Sequence, residues 1–157
     1  MRKQIIYQAV TAAELPFTEW LDIQTLAKVE LSSEEELCPI EAAFTQGQSP
    51  GWRASQSGEQ VIRLLFDDVQ HIRRIQLEFQ EDQWPRTQEF VLRWSSDGGL
   101  SYQEIVRQQF NFSTPDVSRE REDYSVDLVA LTTLELRIIP DISGGDARAS
   151  LVQLRIA

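Results

Sequence analysis

The chain has 157 residues, 41% of them apolar, enough for one domain with its own hydrophobic core and not the composition of a disordered chain. The 25 acidic and 15 basic residues leave a net charge of −10, a field that repels a nucleic-acid backbone. A lone cysteine, Cys38, excludes an internal disulfide and fits a reducing compartment, and no segment has the length of a membrane span.

At the N-terminus, Thr11 and Glu14 have capping-box spacing and predict a short helix over "TAAELPFTEWL", against which Pro16 counts. Residues 1–24 are expected to form an extension packed on the domain that follows, residues 25–157. The opening stretch holds only three consecutive apolar residues, 5–7, short of a secretory signal, so the expected location is the cytoplasm. Next comes the irregular "SSEEELCPIEAAFTQGQSPGWRAS". Its acidic run reads as a solvated face, Cys38 as a buried structural thiol, and Trp52 as a side chain packed beneath loops.

From residue 59 the pattern has period two. Ile62, Leu64 and Phe66 share a face, as do Ile75, Leu77 and Phe79, then Phe90, Leu92 and Trp94. Leu134, Leu136 and Ile138 continue the pattern, followed by Leu151, Leu154 and Ile156. Short half-buried strands between turn-rich stretches predict an all-β antiparallel sandwich or barrel. Successive loops then fall at alternating ends. "DDVQH", "SSDGGLS" and "LVALTT" share one end, while "QEDQWPR", "QQFNFSTPDVSRE", "PDISGGDAR" and the 32–55 stretch share the other. The second end carries the long polar loops, where binding sites concentrate. One arginine per strand (Arg63, Arg93, Arg137, Arg155) reads as solvated strand faces.

The Ser-x-Asp-x-Gly of "SSDGGLSY" has two readings, a hairpin or the blade motif of a sugar-processing propeller. A propeller repeats the motif at blade length, and here it occurs once. Asp97-Gly98-Gly99 supplies what a tight hairpin requires, so the motif is structural.

The order of features carries a resemblance. Ala42, Ala43 and Trp52 are followed by the strand 62–66, the hairpin 95–99 and a closing strand over 149–154. This resembles the discoidin domains, also called coagulation factor 5/8 type C or galactose-binding-like domains, including a bacterial carbohydrate-binding branch. The likeness covers roughly residues 25–157. It implies a jelly-roll β-sandwich with a ligand site among the loops of one end, and no enzyme. Many sugar-binding members hold a structural calcium through an Asp after the alanine pair and a Glu in the last strand. The matching positions here are Thr45 or Gln46 and Gln153. Neutral side chains are poor partners for a hard dication, so neither calcium nor any other cofactor is expected.

Sugar recognition calls for a flat apolar platform and converging polar groups. Trp84 is either that platform or a lid folded over the sandwich. Arg86 either clamps a ligand or pairs with Glu81 or Asp82. Arg107, Gln109 and Asn111 form a dense polar run beside Phe110 and Phe112, suited to ligand contact or to satisfying loop backbone. Asp141, Asp146 and Arg148 surround a glycine pair and either meet a ligand or cap turns. His71, the only histidine, falls at the opposite end and supports neither catalysis nor a metal. The expected function is a non-catalytic module binding a carbohydrate or similar polyhydroxylated ligand, with a protein-interaction module on the same fold as the alternative.

Overall fold

The structure, a computed structural model, describes residues 19–45 and 50–157. The capping-box helix expected near Thr11 and Glu14 lies outside them. Among the described residues, two four-residue helices, α1 (Ile23–Leu26) and α2 (Glu41–Phe44), accompany eight strands. These are β1 (Ala27–Leu31), β2 (Trp52–Arg53), β3 (Gln60–Gln80), β4 (Arg86–Ser95), β5 (Gln103–Phe112), β6 (Arg119–Ile139), β7 (Ser150–Leu151) and β8 (Gln153–Ile156).

The sequence reading divides 60–80 into two strands joined by a turn at "DDVQH". The structure has one strand of 21 residues there, and β6 is its 21-residue partner, with "LVALTT" inside it. The two run antiparallel along their whole lengths, with register shifts between Leu65 and Arg74. Extra residues in a ladder bend it, so this ribbon folds over on itself. Its first half joins a five-strand layer in the order β1-β3-β6-β4-β5. Its second half, with β8 alongside β3, forms the facing layer. The short β2–β7 ribbon closes the loop end.

The core lies between the layers, built from the alternating apolar residues. Ile62, Leu64, Leu77, Phe79, Phe90, Leu92, Leu134, Leu136, Ile138, Leu154 and Ile156 are all buried. Phe79 of one layer stacks on Phe90 of the other, with ring centroids 5.2 Å apart. Each ring withdrawn from water contributes about 2–3 kcal/mol, so this pair ties the layers together. Residues just before β1 join the same core. Ile23 is buried, and the Leu21 N–H donates to the Ile156 carbonyl at 2.8 Å.

At the bend end, the β4–β5 hairpin forms around Asp97 as expected. Gly98 and Gly99 take φ of 73° and 91°, left-handed values that glycine adopts without strain. The Asp97 carboxylate accepts from the hydroxyls of Ser95 and Ser101 and from the Ser101 N–H. Those bonds hold its carboxyl down to about 2, although it is fully exposed. Thr132 bonds both Ser95 O and the Gly98 N–H, joining the hairpin to the β6 bend. His71 lies at this end, exposed, 2.5 Å from Asp127.

One sequence expectation fails on the outer face of the five-strand layer. Arg63, Arg93 and Arg137 are not simply solvated, and neither is Arg155 on β8, which is half-buried, donates to Gln76 and lies 4.8 Å from the Trp20 ring centre. Arg63 and Arg93 flank Glu135 in register on the two adjacent strands, and together with Arg137 they donate to its fully buried carboxylate. Burial pushes the Glu135 carboxyl up, but the three guanidinium groups outweigh it and hold it below its ordinary value.

Candidate functional site

Four loops meet at the end opposite the bend. The 81–85 loop joins the 113–118 turn through Glu81 N–H to Ser118 O at 2.8 Å. The 140–149 loop is held by Ile142 N–H to Thr87 O (2.9 Å) and Gly58 N–H to Ala147 O (3.2 Å), while Glu35 N–H donates to Arg53 O (2.8 Å). Gly51 fixes the approach. Its φ is 76°, and a Cβ there would stand 2.2 Å from the Leu151 carbonyl oxygen, so no other residue fits. The next residue, Trp52, is fully buried and donates its indole N–H to Ser33 O at 3.0 Å. It packs under the loops as the sequence suggests.

Between the 81–85 and 140–149 loops lies a cleft of about 420 Å³. Trp84, Arg86, Asp141, Asp146 and Arg148 all line it, with Arg53, Glu81 and Gln83. Trp84 is 70% exposed, so it is a rim wall and not a lid. Gly144 and Gly145, both at positive φ, have open space where a Cβ would stand, so a ligand can approach the backbone there.

Arg86 is the brace of this cleft. It is only 5% exposed. Its Nε donates to Glu81 at 2.7 Å, and its Nη1 donates to Pro140 O at 2.7 Å and Gln88 Oε1 at 3.2 Å. Its guanidinium also lies 4.8 Å from the Phe112 ring centre. One side chain therefore holds both cleft walls, and the pairing with Glu81 is the one the sequence offered as its structural role. Burial pushes the Glu81 carboxyl up, but Arg86 and the N–H groups of Gln83 and Trp84 prevail and hold it below its ordinary value. Arg86 Nη2 is buried without a partner.

Behind Arg86, Gln88 donates to Glu120 Oε1 at 3.2 Å in the sandwich interior. Burial, then the neighbouring Glu122, push the Glu120 carboxyl up to about 9, so it stays protonated at neutral pH.

Arg107, Gln109 and Asn111 are not brought to the cleft. The sequence reading placed 108–112 in a loop, but these residues belong to the edge strand β5, on its outer face. Arg107 pairs with Glu89 and Glu104, Gln109 with Glu89, and Asn111 accepts from the Thr87 hydroxyl. Phe112 turns inward and is buried.

Glu35 and Arg53 were missed. The acidic run reads as solvated, yet Glu35 is half-buried and receives both Arg53 (3.2 Å) and Arg148 (3.0 Å), while Glu34 accepts from the Ile40 N–H. Their sequence signal is only that Arg53 follows a core tryptophan. Cys38, expected as a buried thiol, is instead half-buried and borders an adjoining cleft of about 380 Å³ that shares Arg53, Glu81 and Gln83.

Of the residues at the positions implied for calcium, Gln46 lies outside the described residues, and Thr45 and Gln153 offer no carboxylate. Gln153 donates its amide N–H to the Thr45 carbonyl at 3.3 Å, so a neutral donor already holds that oxygen. Among the described residues, no three His, Cys, Asp or Glu side chains gather as a metal site.

No protein-family model matches the chain, and no curated protein matches it in sequence. Its architecture is that of solved carbohydrate-binding modules. It is similar to the CBM32 of AlyQ in complex with 4,5-unsaturated mannuronic acid, at TM-score 0.62 and 17% identity, over 89% of this chain and 98% of that one. The family 32 module of C. perfringens NanJ, in complex with galactose, aligns at TM-score 0.61 and 12% identity, over 85% and 94%. Chitosan-binding module 1 from the chitosanase/glucanase of Paenibacillus sp. IK-5 aligns at 0.52 and 16%, over 83% and 94%. The chain thus has the galactose-binding-like, or discoidin-like, jelly-roll fold.

Proposed function

We propose that the protein is a non-catalytic carbohydrate-binding module whose ligand sits in the cleft between the 81–85 and 140–149 loops. The observation that carries this reading is the exposed Trp84 on the wall of a cleft lined by arginine, aspartate and glutamine groups. An indole face takes the C–H surface of a sugar ring, and paired polar groups take its hydroxyls. The fold supports the class, while the neighbours' different ligands leave the individual sugar open. Glu81, the cleft carboxylate that Arg86 braces, does not suit the part of a general acid in hydrolysis. A general acid needs a raised pKa, and Glu81 is held low by Arg86.

The test is a thermal-shift screen against mono- and oligosaccharides, with calcium and with EDTA. A ligand that binds only the folded state raises the melting temperature by mass action. One saccharide class should give a saturable shift that Trp84→Ala abolishes, with no dependence on calcium. A flat response across the panel would count against this reading.

A second reading, a protein-interaction module, rests on other side chains of the same end. Leu37, Val117 and Ile142, from three different loops, are 89%, 39% and 49% exposed. A flat saccharide response together with a partner lost in the triple serine variant of these residues would favour it.

A further inference from the structure

The charges of the cleft select among saccharides, an inference that rests on the carbohydrate reading. Arg86 is committed to Glu81, while Arg53 and Arg148 share Glu35. Against these stand Asp141 and Asp146, neither of which lies in an ion pair among the described residues. Asp141 is partly used, its Oδ1 accepting the Ser143 N–H at 3.0 Å. Asp146 is exposed beside the open Gly144-Gly145 backbone and faces the same cleft as Trp84. The lining holds three arginines and three carboxylates, Glu81, Asp141 and Asp146, and Glu35, outside the lining but paired with Arg53 and Arg148, brings the set to a surplus of one negative charge. The adjoining cleft adds Asp82, whose oxygens accept from the Gln80 amide. The whole chain, at −10, deepens that field.

We propose that the cleft takes a saccharide bearing free amino groups and rejects uronic acids. An ammonium group seated at Asp146 gains a charge-assisted hydrogen bond and lies where the indole face of Trp84 attracts cations. Arg53 and Arg148, anchored by Glu35, remain as donors to ring and hydroxyl oxygens. A uronate in the same place would face Asp141 and Asp146, while Arg53 and Arg148 are shared with Glu35 and the one unpartnered guanidinium nitrogen, Arg86 Nη2, is buried.

The experiment is a calorimetric titration of the full chain with three oligomers of equal length: β-1,4-linked glucosamine, its N-acetylated form, and galacturonate. Runs at mildly acidic pH, in low and in high salt, keep the amines charged and expose the electrostatic part. The glucosamine oligomer should bind about tenfold more tightly than the acetylated one, as expected for one or two partly exposed charge pairs. Salt should reduce the difference, and Asp146→Asn should bring the two within a few-fold of each other. Equal or tighter binding of the acetylated or galacturonate oligomer would overturn the charge selection and leave the carbohydrate reading standing. Binding of none of the three at millimolar concentration, alongside a neutral sugar that does bind, would overturn it too. If no saccharide of any charge binds, the carbohydrate reading itself fails.

Discussion

Glu120 and Glu135 stand on the same strand, 1% and 0% exposed, yet their carboxyls are shifted in opposite directions. Glu135 lies on the outer face of the five-strand layer among three arginines and is held below its ordinary value. Glu120 lies inside the sandwich, with Gln88 as its hydrogen-bond donor, Arg86 beyond, and Glu122 and Tyr124 along the same strand. Its carboxyl rises to about 9. Burial acts on both in the same direction, so the partners make the difference. Direct guanidinium contacts overcome desolvation, whereas one amide does not, and the neighbouring Glu122 carboxylate adds to it. The contrast also sorts the polar residues of the molecule. Every arginine of the outer-face cluster has a carboxylate partner, as have the arginines that line a groove of about 370 Å³ beside it. Among the described residues, side-chain atoms buried without a partner lie instead at Arg86 Nη2 and Glu120 Oε2 behind the cleft, at the Tyr124 hydroxyl further along the same strand as Glu120, and at Arg155 Nε on β8.

The largest effect is expected from Glu135→Ala, which leaves three arginines facing one another. It should cost about 3 kcal/mol, the lower part of the range for breaking a buried pair, because those arginines still reach water. Urea unfolding measures this, and a loss below about 1 kcal/mol would mean that the cluster behaves as surface ion pairs.

Next is the pH dependence. Glu120 binds its proton more tightly folded than unfolded, since its value rises from 4.5 to about 9. Its contribution to stability is therefore whole below the unfolded value and is lost as pH rises through the folded one. Stability should decline between about pH 5 and 9, and Glu120→Gln, which keeps a neutral polar head, should flatten that decline. An unchanged slope in the variant would show that Glu120 is ionised in the native protein.

The smallest effect concerns Asp97, a carboxyl held low with no burial at all. Its value falls from 3.8 to about 2 through hydrogen bonds from Ser95 and Ser101, so its contribution is present above the unfolded value and lost as pH falls through the folded one. Asp97→Asn should weaken the protein at neutral pH and lessen its loss of stability between about pH 4 and 2. An acid limb identical to the parent's would contradict the hairpin role.

The strands and the gathering of the long loops at one end were legible because alternation and turn residues are local signals. Trp84, Arg86, Asp141, Asp146 and Arg148 could be placed together for that reason. The bend of β3 was not legible, since "FDDVQH" reads as a turn and only pairing with β6 keeps it a strand. The Glu135 cluster was hidden because cross-strand register unites residues 72 and 42 positions apart. Arg107, Gln109 and Asn111 were misplaced although their alternation with Phe110 and Phe112 is itself a strand signal. Amide-rich composition outweighed periodicity in that reading.

The most direct test of the cleft is an NMR titration of the labelled protein with whichever saccharide gives the largest thermal shift. Amide and indole shifts confined to Gln83, Trp84 and residues 144–148 are expected, with Arg53 and Glu35 next in size. Shifts centred on Arg107, Gln109 and Asn111, or on the outer-face arginines, would contradict the assignment of the ligand site.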